Sequence, residues 1–462
     1  MTLDIVIMAA GKGTRMKSSR PKVLHNLAGR PLLQHVVQTT AQLQANRVIV
    51  ITGHGAEQVE SALASTAVTF VRQMPQLGTG HAVQQAAPSL HDNGITLILN
   101  GDVPLIEAST LKALVEACDG KRLALLSVLL EDPTGYGRIL RHGDSNGNVF
   151  GIVEQRDGTP EQLRVNEAYT GVMAAPTRLL KHWLQELTPQ NAQGEYYLTD
   201  VVKLAVAEGT PVVCAQASSE TEVLGVNSPA QLSDLERRFQ RRQADELMSA
   251  GVRLADPSRI DIRGTLHCGS DVEIDVNCVF EGQVSLASGV RIGPNCVIRQ
   301  ASIGGNTVIH AFTHIDGETS DVRIGEQAVV GPFARLRPGA NLGNEVHIGN
   351  FVEVKNATLG TGSKANHLAY LGDTTMGERV NYGAGSITAN YDGANKHRTL
   401  IGNDVHVGSN CVLVAPISLG DGATVGAGTT LSKDAPAGQL TVARAQQVSF
   451  GDWQRPSKKP KS

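Results

Sequence analysis

The chain has 462 residues, which is too long for one ordinary hydrophobic core, so two domains are expected. Its formal net charge of −3 argues against a nucleic-acid-binding surface. The sequence has no basic leader before an apolar core and no run as long as a membrane span. Its six cysteines show no paired spacing. These features predict a cytoplasmic protein with reduced thiols and argue against a disulfide framework or a zinc site.

The first half of the chain alternates β-rich apolar runs with helical segments. The predicted strands are residues 3–9, 47–52, 68–71 and 95–99, and the predicted helices between them are residues 31–44, 56–64 and 79–87. This order predicts an α/β, Rossmann-like domain over residues 1–228, with a parallel sheet and crossover helices. Because such sheets bind ligands beyond the carboxyl ends of their strands, the residues after each strand are the first candidates for a site.

Residues 229–251 combine a narrow apolar stripe with many charged side chains. This pattern predicts a long, strongly charged helix. The segment lies between two parts of the chain with different periodicities, so we interpret it as a linker arm. A surface helix of the first domain is the alternative.

A ladder of aliphatic residues or Phe with a six-residue step extends from residue 274 to residue 431. Its rungs are Ile274, Phe280, Leu286, Ile292, Ile298, Ile303, Ile309, Ile315, Ile324, Val330, Leu336, Leu342, Ile348, Val354, Ile401, Val407, Leu413, Leu419, Val425 and Leu431. Residues 252–462 are therefore predicted to form a left-handed parallel β-helix of hexapeptide repeats with a C-terminal tail, because each flat side and its corner use six residues. The ladder lapses between about 355 and 400, which predicts a polar excursion from the stack.

A glycine-rich segment follows the first predicted strand and reads Met8-Ala9-Ala10-Gly11-Lys12-Gly13-Thr14-Arg15-Met16, with Pro21-Lys22 close behind. Its glycines allow backbone N–H groups to approach an anion, and Arg15 and Lys22 add positive charge for a polyphosphate. Gly-Lys-Gly alone would indicate only a turn. The longer pattern, placed on a Rossmann-like sheet, resembles the signature of sugar-1-phosphate nucleotidyltransferases.

Polar residues also follow the other predicted strands. Gly101 and Asp102 end the fourth strand, and the Asp102 carboxylate is of the type that holds Mg²⁺, although a helix cap or turn is as ordinary a role for it. The remaining candidates are Gln73, Gly78 and Thr79 for a base, Gly137 and Glu154 for a sugar, and Asn227 as a second metal ligand. The chemistry expected there is in-line transfer at phosphorus, in which the protein positions two anions and neutralises charge without a side-chain nucleophile.

A second polar set falls where the ladder lapses. His367 is the candidate general base, because histidine titrates near neutral pH, although a lone histidine is more often a structural hydrogen bonder. Just before it, Arg337 and Lys355 are candidates to bind a phosphate, and Glu353 an amine. The same stretch supplies Tyr370, Asn381, Asn390, Tyr391 and Lys396.

Several long motifs, in order along essentially the whole chain, resemble those of the bifunctional GlmU family. Its members are N-acetylglucosamine-1-phosphate uridyltransferases that are also glucosamine-1-phosphate N-acetyltransferases. The motifs include Leu-Gly-Thr-Gly-His-Ala, Pro-Thr-Gly-Tyr-Gly-Arg-Ile, Gly-Pro-Phe-Ala-Arg-Leu-Arg-Pro-Gly-Ala and Asn-Tyr-Asp-Gly-Ala-Asn-Lys. The resemblance implies acetylation first and uridylylation second, because the second reaction consumes the product of the first.

The resemblance assigns residues to two sites. UTP or UDP-N-acetylglucosamine would be bound through the first strand and its loop together with Lys22, Gln73, Gly78, Thr79, Gly137, Glu154 and Asn227, with Mg²⁺ on Asp102 and Asn227. His367 would be the base, and Arg337, Lys355, Tyr370 and Asn381 would hold glucosamine 1-phosphate. Ala384, Ser409, Ala427 and Arg444 would line the acetyl-CoA groove, with Asn390 and Tyr391 beside the acetyl group. Tyr169 stands where the family usually has Asn, and it is not among the implied contacts.

The resemblance also implies a homotrimer assembled through the β-helix, with active sites in grooves between prisms. Two alternatives remain open from the residues alone. One is an ADP-glucose or GDP-mannose pyrophosphorylase whose β-helix only regulates or oligomerises. The other is a trimeric scaffold that catalyses nothing. The polar set around His367 argues against both, because neither requires it.

Overall fold

The computed structural model describes residues 2–143 and 147–458, so the outermost residues of the predicted 1–228 and 252–462 domains lie outside the described residues. The chain divides into two compact units, Met1–Arg241 and Arg242–Ser462. The division falls inside the long helix Pro229–Ser249. The interpretation of this helix as a separate arm, and the exact domain limits, stay predictions.

The first unit is built on a mixed sheet flanked by helices. Its strands are β1 (Thr2–Met8), β2 (Asn26–Leu27), β3 (Arg30–Pro31), β4 (Arg47–Thr52), β5 (Thr69–Arg72), β6 (Gly94–Asn100), β7 (Leu123–Leu129), β8 (Gly137–Arg141), β9 (Val149–Val153), β10 (Glu167–Pro176) and β11 (Val212–Gln216). Its α-helices are α1 (Leu32–Thr40), α2 (Ala56–Ala62), α3 (Thr79–Ala86), α4 (Ala108–Cys118), α5 (Thr177–Glu186), α6 (Val201–Ala207) and α7 (Pro229–Ser249). Short 3₁₀ turns occur at Thr14–Met16, Lys22–Leu24, Ala41–Leu43, Ala87–Ser89, Gln162–Arg164, Leu198–Asp200 and Thr221–Val223.

The four predicted strands and three predicted helices of this unit are confirmed, with ends shifted by a few residues. Strands β5, β4, β1 and β6 are adjacent and parallel, as expected. The sheet as a whole is not parallel, because β10 runs antiparallel between β6 and β7. Helices cover both faces of the central strands, so Val6 and Ile7, which point to opposite faces of β1, are both fully buried.

The second unit is a parallel β-helix, as predicted. Its strands are β12 (Arg253–Leu254), β13 (Ile260–Cys268), β14 (Glu273–Ile274), β15 (Cys278–Leu286), β16 (Arg291–Ile292), β17 (Val297–Ile303), β18 (Val308–Ile309), β19 (His314–Asp316), β20 (Val322–Ile324), β21 (Val329–Val330), β22 (Arg335–Leu336), β23 (Asn341–Leu342), β24 (His347–Asn350), β25 (Glu353–Lys355), β26 (Thr358–Leu359), β27 (Lys364–His367), β28 (Tyr370–Gly372), β29 (Thr374–Met376), β30 (Asn381–Tyr382), β31 (Ile387–Ala389), β32 (Thr399–Ile401), β33 (His406–Val407), β34 (Val412–Val414), β35 (Ile417–Leu419), β36 (Thr424–Val425), β37 (Thr430–Leu431) and β38 (Leu440–Thr441). Each strand pairs with the equivalent strand of the next coil, as Val330 does with Ile348 and Leu336 with Val354. The predicted rungs are buried and form one continuous core.

The prediction that the stack is interrupted from about 355 to 400 is wrong. Leu359, Ala365, Leu371, Met376 and Tyr382 are buried at the rung positions of regular coils in this interval. The pattern was missed for two reasons. Several rungs there are Ala, Met or Tyr rather than the expected aliphatic residues, and adjacent coils are offset by 17 residues, as between Ile348 and Ala365. Within this interval, only the segment between β31 and β32, residues 390–398, leaves the stack.

Candidate active sites

Two adjoining cavities in the first unit lie beyond the carboxyl ends of β1, β5 and β6. They have volumes of about 440 and 300 Å³. The larger is lined by Met8, Ala9, Ala10, Gly11, Lys22, Gln73, Gly78, Thr79 and Asp102. The smaller is lined by Met8, Arg15, Thr79, Asp102, Gly137, Glu154 and Asn227. All first-site candidates except Gly101 therefore line one or both cavities. Gly101 is buried behind them, where its N–H donates to the Met8 carbonyl at 2.9 Å.

The larger cavity holds Gln73 in a fixed orientation. Its side chain is buried, its Nε2 donates to the Gly78 carbonyl at 2.9 Å, and the same Nε2 lies 3.1 Å from Nδ1 of His81. Gly78, at the start of α3, has φ +113°, and a Cβ there would lie 2.6 Å from the Tyr196 carbonyl oxygen, so only glycine fits. An amide held in this way presents a fixed polar group to a flat ligand such as a base. The sequence reasoning missed His81, although it follows Gly78-Thr79-Gly80 directly.

A cation-binding arrangement lies where the two cavities meet. The Lys22 ammonium contacts Asp102 Oδ2 and donates to Asn227 Oδ1 at 3.0 Å. The Val226 N–H donates to the Asp102 carbonyl, which fixes the loop that carries Asn227 beside Asp102. The two predicted metal ligands are thus brought together, and their oxygens already surround a positive charge.

The smaller cavity has a partly buried carboxylate in its wall. Glu154 accepts a hydrogen bond from Thr199 Oγ1 at 3.0 Å, and burial raises the pKa of Glu154 above its usual range. Tyr169 lines the same cavity, and its buried hydroxyl has no hydrogen-bond partner among the residues that the structure describes. Burial, and then the nearby Glu154 charge, raise the pKa of Tyr169. Thr199 was not predicted, because only the fold brings it next to Glu154.

In the second unit, His367 lies at a corner of a regular coil rather than in an excursion. It ends β27, and it is exposed. Its Nδ1 is 2.9 Å from Oδ1 of Asn350, the residue with which it pairs on the preceding coil. Because an amide oxygen can only accept, this contact requires a proton on Nδ1, and in the neutral ring the lone pair is then on Nε2. Asn350 was missed, yet it could have been found 17 residues before His367 once the coil offset was known.

Three of the residues implied for acetyl-CoA, Ala384, Ser409 and Ala427, continue this corner from His367 in a single column. We call these four residues the corner column (His367, Ala384, Ser409 and Ala427). Successive coils are joined there by backbone hydrogen bonds from Gly385 N–H to the His367 carbonyl (3.2 Å), and from Asn410 N–H to the Ala384 carbonyl (2.8 Å). A third bond runs from Gly428 N–H to the Ser409 carbonyl at 2.8 Å. The Arg444 guanidinium lies at the far end, 3.7 Å from the position that a Cβ on Gly426 would occupy. Small side chains therefore leave an open path from His367 toward a cation.

The face that follows the corner is cationic. Arg337 donates to Glu353 Oε1 at 2.8 Å, and the outward side chains of Glu353 and Tyr370 are in register on adjacent coils. Lys355 lies against Lys396, and this contact, followed by burial, lowers the pKa of Lys355. Two adjacent ammonium groups near Arg337 form a cluster that suits a phosphate.

The three other second-site candidates do not lie on the strands of this face. Asn381 is in register with Lys364 and His406, on the face that precedes the corner, so one chain does not bring it together with Tyr370 and Lys355. Asn390 and Tyr391 belong to the 390–398 loop, where Tyr391 is 61% exposed. Asn390 is buried, and its amide donates to Asp373 Oδ2 at 2.5 Å, while Asn356 donates to the other oxygen. The buried Asp373 carboxylate was not among the predicted site residues.

An exposed apolar ridge lies along the same corner, on the coil of His367 and the three coils before it. We call Phe312, Phe333, Phe351 and Leu368 the corner ridge. The ring centroids of neighbouring phenylalanines are 4.9 and 5.4 Å apart, and the four side chains are 51%, 48%, 56% and 62% exposed. All four residues have left-handed backbone conformations, which direct the side chains away from the prism.

Two further predictions concern the chain as a whole. All six cysteines are free. Within the described part of the chain, no helix combines the length and the apolar character needed to cross a membrane.

Comparison with known proteins gives the same two-part division. Residues 5–140 match the model of a MobA-like NTP transferase domain, and residues 398–433 match a hexapeptide repeat of succinyl-transferase. The chain is 72% identical to the bifunctional protein GlmU of Methylibium petroleiphilum and 63% identical to that of Albidiferax ferrireducens. It is 58% identical to that of Burkholderia vietnamiensis. Each of these alignments covers 99% of this chain and 100% of the relative. With these full-length identities and both domain types present, the chain belongs to the GlmU family of bifunctional enzymes.

Proposed function

We propose that each of the two sites described above carries one of the two GlmU reactions. The second unit acetylates glucosamine 1-phosphate with acetyl-CoA. The first unit then transfers UMP from UTP to N-acetylglucosamine 1-phosphate, which gives UDP-N-acetylglucosamine and pyrophosphate for peptidoglycan and lipopolysaccharide precursors. The observation that carries this assignment is the presence of two separately built polar sites on one chain of this family.

In the first unit, the larger cavity takes UTP and the smaller takes the sugar phosphate. The glycine-rich loop and Arg15 bind phosphates, and the amide of Gln73 contacts the base. Glu154 accepts hydrogen bonds from sugar hydroxyls at the wall of the smaller cavity. A phosphate oxygen of the sugar attacks the α-phosphorus in line, and pyrophosphate leaves from the opposite side. The protein contributes orientation and charge neutralisation, for which no covalent intermediate is needed.

We further propose that Mg²⁺ is held by Asp102 and Asn227. The donor set fits, because carboxylate and amide oxygens are ligands that Mg²⁺ accepts, and here they converge on the Lys22 ammonium as a stand-in cation. When bound, the metal neutralises the developing charge on the phosphates. Asp102 and Asn227 are kept in place by the backbone hydrogen bond that joins Val226 to Asp102.

In the second unit, His367 is the general base. Its Nδ1–H is held by Asn350, so Nε2 takes a proton from the amine of glucosamine 1-phosphate as the amine nitrogen attacks the thioester carbonyl carbon. The carbon–sulfur bond then breaks, and His367 passes the proton that it took from the amine to the leaving sulfur, so CoA leaves as its thiol. The cationic cluster of Arg337, Lys355 and Lys396 holds the phosphate of the sugar, while acetyl-CoA lies along the corner column toward Arg444.

We propose that the enzyme is a homotrimer assembled through the β-helix, and that each acetyl-transfer site is shared between subunits. The corner ridge supports this, because a contiguous exposed apolar stripe is a typical interaction surface. The position of Asn381 supports it as well. Asn381 lies across the corner from Tyr370, so it can serve a sugar-phosphate site only if a neighbouring subunit completes the groove. We also place the enzyme in the cytoplasm, where UTP and acetyl-CoA are available and where its six free thiols stay reduced.

The test is to separate the two activities with single substitutions. His367→Ala should lower acetyl transfer at least about 100-fold and leave uridylyl transfer unchanged, because it removes only the base. Asp102→Ala should do the reverse. Both reactions are measured on each purified variant, with circular dichroism as the check on folding. If either substitution abolished both activities in a folded protein, the assignment of one reaction to each site would be wrong.

A further inference from the structure

We propose that the Lys22 ammonium is a built-in competitor of the divalent metal. In the substrate-free enzyme it occupies the cation position between Asp102 and Asn227, and the metal binds tightly only when nucleotide phosphates draw Lys22 away. This inference rests on the proposed role of Asp102 and Asn227 as metal ligands, and it assigns to Lys22 a second function beyond binding phosphate.

The Lys22 side chain is partly buried and is held in place by the surrounding backbone, unlike a lysine in a flexible surface contact. Its side chain is only 14% exposed and that of Asp102 is 18% exposed. The 3₁₀ turn Lys22–Leu24 is anchored by a hydrogen bond from Leu24 N–H to the Pro21 carbonyl. Gly13 has φ +58°, and a Cβ there would lie 2.6 Å from Cβ of Lys22, so the glycine gives the lysine stem room to pass. The ammonium reaches both oxygens from this fixed base.

The ammonium and the metal exclude each other. Mg²⁺ requires oxygen ligands at about 2.0–2.1 Å, so an ion bound to both Oδ2 of Asp102 and Oδ1 of Asn227 would lie between the same two oxygens that Nζ contacts. The two cations would then be too close to each other for both to be present. The bare metal must therefore displace an ion pair before it can bind, and this lowers its affinity for the free enzyme.

A nucleotide changes this balance because Lys22 lines the same cavity as Gly11 and Lys12, where the triphosphate would lie. A lysine stem is flexible and its head is a compact charge, so the ammonium can move from the carboxylate to a phosphate oxygen. The carboxylate then takes the metal that accompanies the nucleotide. Asp102 would therefore be paired with Lys22 in the free enzyme and with the metal in the nucleotide complex. In neither state would this partly buried carboxylate lack a positive partner.

The test measures metal binding without turnover. Mn²⁺ is titrated into nucleotide-free enzyme, and free Mn²⁺ is followed by electron paramagnetic resonance. Lys22→Met keeps the stem but removes the ammonium, and it should bind Mn²⁺ at least about tenfold more tightly than the wild type. Lys22→Gln should show the same gain and serves as a second variant if Lys22→Met is unstable.

The matched control is Lys12→Met, which removes one positive charge from the same cavity but has no contact with Asp102 or Asn227 among the contacts described. Screening at physiological salt should limit its effect to about twofold. In the double variant Lys22→Met with Asp102→Asn, the gain should disappear, because the metal loses its carboxylate. Equal Mn²⁺ affinity in wild type and Lys22→Met, or a gain that persists without Asp102, would overturn the inference.

A parallel measurement separates this inference from the proposed function. Binding of the Mn²⁺–UTP complex is compared in wild type and Asp102→Asn by calorimetry. If the complex binds wild type in an Asp102-dependent way while Lys22→Met gives no gain for Mn²⁺ alone, the metal site stands and only the competition by Lys22 fails. If the Asp102 substitution has no effect on the complex, the metal assignment itself is wrong.

Discussion

The two sites differ in how much of each is enclosed by its own chain. In the first unit, the key side chains are buried or half-buried around cavities, and Gln73 is only 3% exposed. In the second unit, His367 is exposed on a corner and Tyr391 is 61% exposed. A sheet with flanking loops can surround a small ligand, whereas a convex prism cannot. We therefore expect the nucleotide site to depend only on its own unit and the acetyl-transfer site to depend on assembly.

The largest effect is expected when the corner ridge is disrupted, because this tests whether acetyl transfer alone depends on assembly. Phe333→Asp places a charge in the middle of the stacked rings, and Asp tolerates the left-handed backbone found there. The variant should dissociate and lose acetyl transfer at least about 100-fold, because each site would lack its neighbouring prism. Uridylyl transfer should stay within about twofold of wild type. Light scattering and the two assays measure these effects.

The matched control for the ridge is Gln327→Asp, which changes another exposed residue with a left-handed conformation. It should leave both the assembly and the two activities intact. A stable Phe333→Asp monomer with full acetyltransferase activity would contradict the shared-site proposal.

A smaller effect is expected from Asn350→Ala. The amide holds Nδ1–H of His367, so its loss frees the ring to rotate and to change tautomer. We expect kcat for acetyl transfer to fall on the order of tenfold, with KM for acetyl-CoA unchanged. Glu345→Ala, at another exposed corner position before Asn350, is the control and should leave kcat unchanged. A change in KM alone would mean that Asn350 contacts substrate rather than positioning the base.

The two sites also differed in what the sequence could predict. Gly11, Gln73 and Asp102 follow predicted strands whose order was readable, so their convergence was predictable from local patterns. Gly137, Glu154 and Asn227 come after the last predicted strand, so no strand order placed them. The contacts themselves were not predictable. Lys22 and Asn227 are 205 residues apart, and no local pattern encodes their approach. The antiparallel β10 was missed for the same reason, because strand direction within a sheet depends on long-range pairing.

In the second unit, the regular ladder was readable, but the coils that carry the proposed base were interpreted as an interruption. A ladder defined by aliphatic residues cannot recognise Ala365 or Tyr382 as core positions, and a 17-residue offset shifts a fixed six-residue count. The four residues of the corner column had each been named, but the sequence did not show that they align on successive coils. The register between coils, rather than the residue types, was the missing information.

The smallest predicted effect concerns the loss of stability that results from burying an unpaired hydroxyl at the first site. The Tyr169 hydroxyl is buried without a partner among the described residues, and Tyr169 also packs in the core beside Met173 and Ile152. Tyr169→Phe removes the unsatisfied hydroxyl but keeps the ring, so it should stabilise the protein by about 1 kcal/mol. Denaturant unfolding of both proteins measures this, with Tyr197→Phe as the control, because the Tyr197 hydroxyl accepts a hydrogen bond from Gln193 and its loss should destabilise. If Tyr169→Phe were instead less stable than the wild type, the hydroxyl would have a hydrogen-bond partner in solution. An increase in KM for the sugar phosphate in the same variant would show that this partner lies in the substrate cavity.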